Sequence, residues 1–355
     1  MSNNHMILHV IPSFYPDVGG AEKQLERLST EQVNNGINLM ILTRKSSLKN
    51  YEKKFKDLNI KRLSRNMILF NIQCLIFMIH HYKNFNIAHV HTLSSVAFTT
   101  LIFSSIFNKK VFLKLTRIGK NSQIDLIRES KIKNLIFKIL IKINNPKFIC
   151  LTNESLDYLN NNFYYSNNIL IPNGIAVNNL KNINYKDEYI RILFVSRLIS
   201  RKQVYKTILE LIKFSSEKLK IIVCGDGPES KKIEKLQNLY PSLIDYRGNQ
   251  NENGVQFALL ESDFFIQNSL NEGLSNSFLE ALTHNSIPVV SKLKFYEELK
   301  EEYKIPIFFD DFVRMNYDEK IKLRDRFKKI PRKIAIEKFN IKNTVKLLSN
   351  AYSQA

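Results

Sequence analysis

The chain has 355 residues, of which 53 are Lys or Arg and 33 are Asp or Glu, so its formal net charge is +20. Its length predicts about two domains, at roughly 150 residues each, and its hydrophobic share of 44% excludes a disordered or collagen-like chain. Three cysteines (Cys74, Cys150 and Cys224) without CxxC or paired spacing exclude a disulfide framework and a cysteine zinc site. This cysteine usage favours a reducing, cytoplasmic compartment, and the polar N-terminus predicts no signal peptide.

Short β-branched and apolar runs alternate with amphipathic stretches in the first half of the chain. We predict a helix over Ala21–Asn34 and strands over residues 7–11, 39–43, 87–91, 111–116, 147–151 and 168–171. Two further segments, 67–79 and 92–108, are apolar, but both are short and the second contains seven Ser or Thr. A membrane-spanning helix needs about 20 apolar residues, so we predict that both are buried helices.

The second half continues the alternation. We predict helices over Lys202–Phe214 and Ile341–Tyr352, and strands over residues 191–195, 219–224, 243–247, 263–267 and 286–291. Continuous apolar strands separated by helices are typical of parallel sheets covered on both faces, so the two series predict an α/β protein with two doubly wound domains.

The domain boundary is predicted in the Asn- and Lys-rich segment Ala176–Tyr189. The expected domains are 1–176 and 177–335, with a final segment, 336–355, that packs back on the first domain. Ligands of open parallel sheets bind beyond the carboxyl ends of the strands, and the cleft between two such domains is the expected site.

The positive charge is concentrated in the first half. Residues 1–180 contain 23 basic and 10 acidic residues, and residues 181–355 contain 30 and 23. Residues 41–65 hold nine basic and two acidic residues, and 109–147 hold eleven and two. Such segments suit lipid headgroups, nucleotide phosphates or nucleic acid. The alternative is a Lys-rich composition along the whole chain, and the lack of basic stripes interleaved with aromatic residues argues against nucleic acid.

Two candidates follow strands of the first half. Gly19 and Gly20 precede the helix at Ala21, where glycines let backbone N–H groups approach a phosphate and the helix dipole favours an anion. The alternative is a tight turn.

His89 and His91 end the strand 87–91 on one face. They either pack in the core, with His91 alone near the cleft, or contact a sugar hydroxyl; no neighbouring acid or cysteine supports a metal site.

A second group of candidates follows strands 191–195 and 219–224. Arg197, Arg201 and Lys202 stand where cations can hold a pyrophosphate and neutralise a departing diphosphate. The alternative is ordinary surface charge. Gly225 begins the Gly-Asp-Gly-Pro turn, which is either a structural turn or a nucleotide contact.

The most informative segment follows strand 263–267. Glu272 and Glu280 bracket Gly273, Leu274 and Ser275. We expect Glu272 in a loop and Glu280 about two turns into the next helix, with the free amides at its start forming an anion or hydroxyl site. The alternative is that Ser275 only caps the helix.

Taken together, these motifs resemble those of glycosyltransferase family 4. This family comprises retaining sugar-nucleotide transferases of the GT-B fold, with two facing Rossmann-like domains. The motifs that carry the resemblance are Val195-Ser-Arg-Leu198, Lys202, Gly225-Asp-Gly-Pro228, Glu272 to Glu280, Ile287-Pro-Val-Val290 and Gly19-Gly-Ala-Glu22. The chain departs from the family pattern at Gln203 and Asn285, where glycine is usual, and at Ala176 and Asn268.

The resemblance implies a role for each matching residue. Arg197 and Lys202 would hold the donor diphosphate, Glu272 the transferred sugar and Glu280 the nucleoside ribose. His91 would contact the sugar near the reacting carbon. The remaining donor-binding positions are Gly19, Gly20, Gly225, Gly273, Leu274 and Ser275.

It also implies a function, with the first domain binding the acceptor and the second the donor. A hexose or N-acetylhexosamine would move from a UDP- or GDP-linked donor, without metal or other cofactor, to a saccharide or lipid-linked saccharide of bacterial lipopolysaccharide, O-antigen or capsule. The basic first half predicts an anionic membrane partner, with the protein peripheral on the inner face of the cytoplasmic membrane. A non-catalytic subunit of the same fold is the alternative.

Overall fold

The structure, a computed structural model, describes residues 6–17, 19–47, 57–177, 188–214 and 218–354. The chain divides into two compact units, Met1–Ala176 with Ile341–Ala355, and Val177–Asn340. Most of the predicted linker and part of the basic segment 41–65 lie outside the described residues.

The first unit contains a seven-stranded parallel sheet in the order β3-β2-β1-β4-β5-β6-β7. Its strands are β1 Met6–Val10, β2 Leu39–Arg44, β3 Ile60–Leu63, β4 Phe85–Val90, β5 Lys110–Leu115, β6 Lys147–Cys150 and β7 Asn168–Leu170. All six strands predicted in this half are confirmed, and β3 was not predicted. The order reverses between β1 and β4, which is the topological switch point of a doubly wound sheet.

Helices cover both faces of this sheet. Its helices are α1 Gly20–Asn34, α2 Met67–His80, α3 Ser95–Phe107, α4 Gln123–Glu129, α5 Lys131–Asn144, α6 Asn153–Phe163 and, from the end of the chain, α15 Ile341–Ser353. Alternation along β1 sends Leu8 and Val10 to the core under α2, α3 and α5, and Ile7 to the core under α1 and α15.

Helices α2 and α3 are less buried than the sequence predicted. Helix α2 is apolar on every side, but only one side of a helix can face the sheet. The opposite side leaves Ile68 71% exposed and Ile76 49% exposed, and Ile106 on α3 is 69% exposed. Apolar composition therefore predicted the helices but not their burial.

The second unit contains a six-stranded parallel sheet in the order β10-β9-β8-β11-β12-β13. Its strands are β8 Ile190–Val195, β9 Leu219–Cys224, β10 Ile244–Gly248, β11 Phe264–Gln267, β12 Ile287–Val290 and β13 Ile307–Phe308. The five strands predicted here are confirmed, and the two-residue edge strand β13 was not predicted. The strand order again reverses at the centre, between β8 and β11.

The helices of this unit complete the doubly wound arrangement that the sequence predicted. They are α7 Val204–Phe214, α8 Ser230–Leu239, α9 Glu252–Glu261, α10 Asn276–Thr283, α11 Lys294–Tyr303, α12 Phe309–Phe312, α13 Tyr317–Phe327 and α14 Ile330–Lys338. A short 3-10 turn, Ser200–Lys202, precedes α7. Helix α14 runs past residue 335, where the sequence placed the end of the second domain.

Candidate active site

The predicted donor-binding residues of the second unit follow three neighbouring strands. Arg197 and Lys202 follow β8, Gly225 follows β9, and Glu272 follows β11. Because β8 and β11 flank the switch point of this sheet, these loops emerge at the position where doubly wound sheets bind ligands.

Glu272 forms ion pairs with two cations of the loop after β8, Arg201 and Lys202. Its Oε2 lies 3.1 Å from Nη1 of Arg201 and also accepts a hydrogen bond from the Lys202 ammonium. Arg201 in addition donates to the Asn271 carbonyl at 2.7 Å, and Leu270 donates its N–H to the Arg201 carbonyl at 3.0 Å. These bonds lock the two loops together, so Lys202 and Glu272 meet across 70 residues of sequence.

Both cations use the same carboxylate oxygen. The other oxygen of Glu272, Oε1, makes no hydrogen bond to the residues that the structure describes. The Glu272 and Lys202 side chains are each 12% exposed. Glu272 therefore offers one free acceptor beside a largely buried pair of cations.

The electrostatics of this cluster keep Glu272 ionised. Burial alone would raise the pKa of the Glu272 carboxyl, but the charge and hydrogen bond of Lys202, with help from Arg201, hold it below its usual value. Burial lowers the pKa of the Lys202 ammonium; Glu272 opposes this, and the charges of Arg201 and Arg197 add to it. The cluster carries more positive than negative charge, as an anion site requires.

Arg197 is the exposed cation of the group. Its guanidinium makes no hydrogen bond or ion pair within the described part of the chain. Its positive charge nevertheless contributes to the lowered pKa of Lys202. A guanidinium beside a buried ammonium, without a carboxylate of its own, can accept an anionic ligand without first losing an internal partner.

The segment between the two glutamates forms a loop and a helix start, as expected. The Ser275 hydroxyl caps α10 by accepting from the Phe278 N–H at 3.4 Å, so the capping alternative holds for its side chain. Leu274 is 4% exposed and anchors the loop. Glu280 is the fifth residue of α10, which corrects the expected two turns to little more than one. Gly273 is half-buried beside Glu272.

Gly225 has a clear structural role. Its φ is +150°, and a Cβ built on it would lie 1.8 Å from the carbonyl oxygen of Ser196. Leu198 donates its N–H to the Asp226 carbonyl at 2.8 Å, so the loops after β8 and β9 touch through their backbones. The turn thereby positions the loop that carries Arg197. Of the two interpretations of Gly225, this is the structural turn.

Two departures from the family pattern occupy left-handed backbone. Gln203 has φ +51° directly after Lys202, and Asn285 has φ +59° after α10. Glycine adopts this conformation most easily and asparagine tolerates it. The structure thus explains why glycine is usual at both positions, and Gln203 is the costlier replacement.

In the first unit the two predicted glycines lie at the start of α1. Gly19 is the N-cap of the helix, in extended backbone, and Gly20 is its exposed first residue. The expected start at Ala21 is correct to within one residue.

His91 is buried, whereas the sequence predicted that it would face a ligand. It is 1% exposed, and its Nε2 lies 2.9 Å from Nδ1 of His9, a residue that the sequence did not single out. The His9 Nε2 lies 2.9 Å from the Gln32 side-chain oxygen, and the His89 Nδ1 lies 2.6 Å from the Tyr352 hydroxyl. Parallel pairing of β1 with β4 brings His9 opposite His89. That register is the signal that would have identified the cluster.

The three imidazoles are held neutral. Burial lowers the pKa of His9 to about 4 against the opposing Gln32 bond, and Lys114 lowers it further. Burial also lowers the pKa values of His89 and His91; the charges of His9 and Lys114 add to this at both, and that of His89 adds to it at His91. Their ligand nitrogens lie within 4.8 Å of one another, close enough to hold a metal ion. No carboxylate or cysteine joins this group among the described residues, and the Lys114 ammonium opposes a cation.

Known proteins resemble the chain in both sequence and fold. Residues 178–323 match the family described as Glycosyl transferases group 1. The capsular polysaccharide biosynthesis glycosyltransferase CapH of Staphylococcus aureus is 25% identical over 248 residues, which cover 68% of this chain and 69% of CapH.

Solved structures match nearly the whole chain. Anabaena HepE in complex with UDP is 14% identical with a TM-score of 0.76, covering 99% of this chain and 100% of HepE. The sucrose-phosphate synthase of Thermosynechococcus elongatus is 13% identical with a TM-score of 0.81, covering 99% of this chain and 98% of the synthase. These likenesses establish the GT-B fold. The family match and the similarity to CapH indicate that the chain is a glycosyltransferase enzyme.

Proposed function

We propose that the chain is a retaining glycosyltransferase of family 4 that transfers a hexose or N-acetylhexosamine from a UDP- or GDP-linked sugar. The acceptor is a saccharide or lipid-linked saccharide of a bacterial surface polysaccharide, such as capsule, O-antigen or lipopolysaccharide. We place this activity at the inner face of the cytoplasmic membrane, in line with the basic first half. The observation that carries the proposal is the cluster of Arg197, Lys202 and Glu272 at the switch point of the second sheet.

The cluster supplies the charge distribution that a sugar diphosphate needs. Arg197 and Lys202 bind the diphosphate through charge-assisted hydrogen bonds. The free Oε1 of Glu272 accepts from a hydroxyl of the sugar, while Oε2 stays on Arg201 and Lys202. Glu280 on α10 binds the ribose, and the backbone N–H groups at the start of α10 add to the anion site.

In the transfer step, the bond between the anomeric carbon and the diphosphate oxygen breaks while the acceptor oxygen bonds to that carbon from the same face. The proton of the acceptor hydroxyl passes to the departing diphosphate. Arg197 and Lys202 stabilise the negative charge that develops on the diphosphate, which is the main contribution of this chain to the rate. The reaction as proposed needs no metal. Gly19 and Gly20, at the start of α1, are further proposed donor-binding positions. His91 lies in the buried histidine cluster, and we propose that it supports sugar binding from there rather than by touching the sugar.

UDP and UDP-glucose are the ligands in the solved HepE complexes, which support a nucleotide-sugar donor. CapH is a capsular polysaccharide biosynthesis enzyme, which supports a polysaccharide acceptor.

The test begins with thermal-shift measurements on the full chain with a panel of UDP- and GDP-sugars, because a donor that binds the native state raises the unfolding temperature. Hydrolysis and transfer are then measured with the donor so found. We expect Arg197→Ala to lower turnover by on the order of 10²–10³ with an unchanged unfolding temperature.

Lys206→Ala is the matched control, because Lys206 is a 69% exposed cation on α7 that pairs with Glu210. Its turnover should equal that of the wild type. Turnover of Arg197→Ala within about tenfold of wild type would contradict the mechanism. A donor that binds without any hydrolysis or transfer would favour the non-catalytic alternative.

A further inference from the structure

The outer side of α2 is apolar, although it faces away from the core. Phe70, Cys74 and Met78 form the stripe buried against the sheet. Five large aliphatic side chains lie on the other side, namely Ile68, Leu69, Ile72, Ile76 and Ile79, each at least 40% exposed. The 14-residue helix contains no Asp, Glu, Lys or Arg. A helix that is apolar all round is normally covered on both sides.

Helix α5 repeats this arrangement with added positive charge. Its buried stripe is Phe137, Leu140 and Ile141. A second stripe at helical spacing is exposed and consists of Ile132, Leu135, Ile136, Ile139 and Ile143, with exposures from 43% to 73%. Lys131, Lys138 and Lys142, spaced seven and four apart, run along the same helix and are exposed.

Helix α3 lies between these two helices and makes their outer sides continuous. The Asn71 amide of α2 donates to the Ser95 hydroxyl at 2.9 Å, and the Asn144 amide of α5 donates to the Ser105 hydroxyl at 2.9 Å. Ile102 and Ile106 of α3 are exposed in the same region. We call the exposed aliphatic side chains of α2, α3 and α5 the apolar face. It contains 12 of the 25 large hydrophobic side chains that are exposed in the described residues, so it is a concentrated patch.

The charged side chains on α2, α3 and α5 are of one sign. None of α2, α3 and α5 contains an acidic residue. At the end of α2, Tyr82 is 37% exposed and packs 5.2 Å from the Phe107 ring. The Lys83 and Lys109 ammonium groups each lie 5.8 Å from the Tyr82 ring centre. An amphipathic aromatic residue with lysines beside an apolar surface is typical of a boundary between hydrocarbon and headgroups.

We propose that the apolar face lies on an anionic membrane surface, with its aliphatic side chains at the boundary between headgroups and acyl chains and its lysines on the headgroup phosphates. Within the described residues, no helix is long and apolar enough to cross a bilayer. Helices of 13 or 14 residues with a second apolar side therefore lie in the plane of the surface.

Charge selects a membrane over a second copy of the chain as the occupant. In a two-fold dimer the same patch meets itself, so the lysines of α5 would face the lysines of the partner without any acidic residue of α2, α3 or α5 to offset them. Anionic headgroups complement the lysines instead. The inference deepens the proposed function, and rests on it only for the placing of a lipid-linked acceptor at this surface.

The test is flotation of the full chain with vesicles of phosphatidylcholine, with and without phosphatidylglycerol, at low and high salt. We expect binding to the anionic vesicles at low salt. Each lysine near an anionic surface changes partitioning by about five-fold, so Lys138→Gln/Lys142→Gln should weaken binding by about 25-fold. Ile72→Gln/Ile76→Gln and Leu135→Gln/Ile139→Gln should weaken binding by at least about tenfold.

The matched control is Leu239→Gln/Phe257→Gln, which removes two exposed apolar side chains from the second unit. It should float as the wild type does. Absence of flotation at low salt, or equal flotation of all variants, would overturn the proposal. A dimer in solution that the α2 and α5 variants dissociate would show that a second copy covers the apolar face. Donor binding measured without vesicles tests the proposed function separately, so either can fail alone.

Discussion

The buried histidine cluster is expected to make the stability of the protein depend on pH. His9 is fully buried and its pKa in the folded chain is about 4, against about 6.5 for an unfolded histidine. Between these values the unfolded state binds more protons than the folded state, so the free energy of unfolding falls as the pH falls. The stabilisation is fully present above about pH 6.5 and is lost as the pH approaches the folded pKa of about 4.

The size of the effect follows from the two pKa values of His9. Acidification from about pH 7 to about pH 5 should lower the free energy of unfolding by about 2 kcal/mol through His9 alone. His89 and His91 act in the same direction, because burial lowers their pKa values well below that of a free histidine.

The assay is urea unfolding followed by far-ultraviolet circular dichroism at several pH values, since the chain contains no tryptophan. His9→Gln removes the titration, so its stability should fall by about 2 kcal/mol less than that of the wild type over this range. His80→Gln replaces an exposed histidine of α2 and serves as the control, with the wild-type pH dependence. Because the slope with pH is compared, a lower stability of His9→Gln at every pH does not affect the test. Parallel curves for His9→Gln and wild type would refute the reasoning.

Two further predictions concern the second unit. Glu272→Gln leaves the Lys202 ammonium without its carboxylate, so transfer should fall by on the order of 10² in a steady-state assay while circular dichroism shows a folded chain; wild-type turnover would contradict a role for this carboxylate. Gly225→Ala forces a methyl group to 1.8 Å from the Ser196 carbonyl and should lower the unfolding temperature sharply. Gly248→Ala is its control, because Gly248 also has positive φ but its Cβ position is empty, so only about 1 kcal/mol should be lost. Equal losses in the two glycine variants would show that the close approach is not limiting.

The sequence predicted the interior strands of both sheets because each is a continuous apolar run buried on two faces. Strand β3, Ile-Lys-Arg-Leu, was missed because an edge strand can be half-exposed and charged. Strand β13 was missed because two residues show no period. The burial of α2 was predicted wrongly for the converse reason. Its composition suits a core, but only the fold shows that one of its sides has no protein against it.

The candidate site was predictable in its parts but not in its pairing. The rule that ligands bind beyond strand ends identifies the loops of Lys202 and Glu272. It does not reveal that Arg201 and Lys202 share one oxygen of Glu272, because that depends on how the loops after β8 and β11 touch. His9 was missed for a similar reason, since its partner His91 is 82 residues away in sequence and meets it only through strand register.

The two sheets have the same strand order but opposite chemistry at their switch points. In the first sheet, β1 carries His9, β4 carries His89, and His91 directly follows β4. Burial lowers the pKa of each and keeps it neutral. Their nitrogens bond within the protein: His9 with His91 and Gln32, and His89 with Tyr352. In the second, the loops after β8 and β11 carry cations in excess of acids, and Arg197 is exposed. A diphosphate binds through charge-assisted hydrogen bonds, so it needs cations that an incoming ligand can reach. We therefore infer that the anionic part of the donor binds at the second switch point rather than at the neutral histidines of the first.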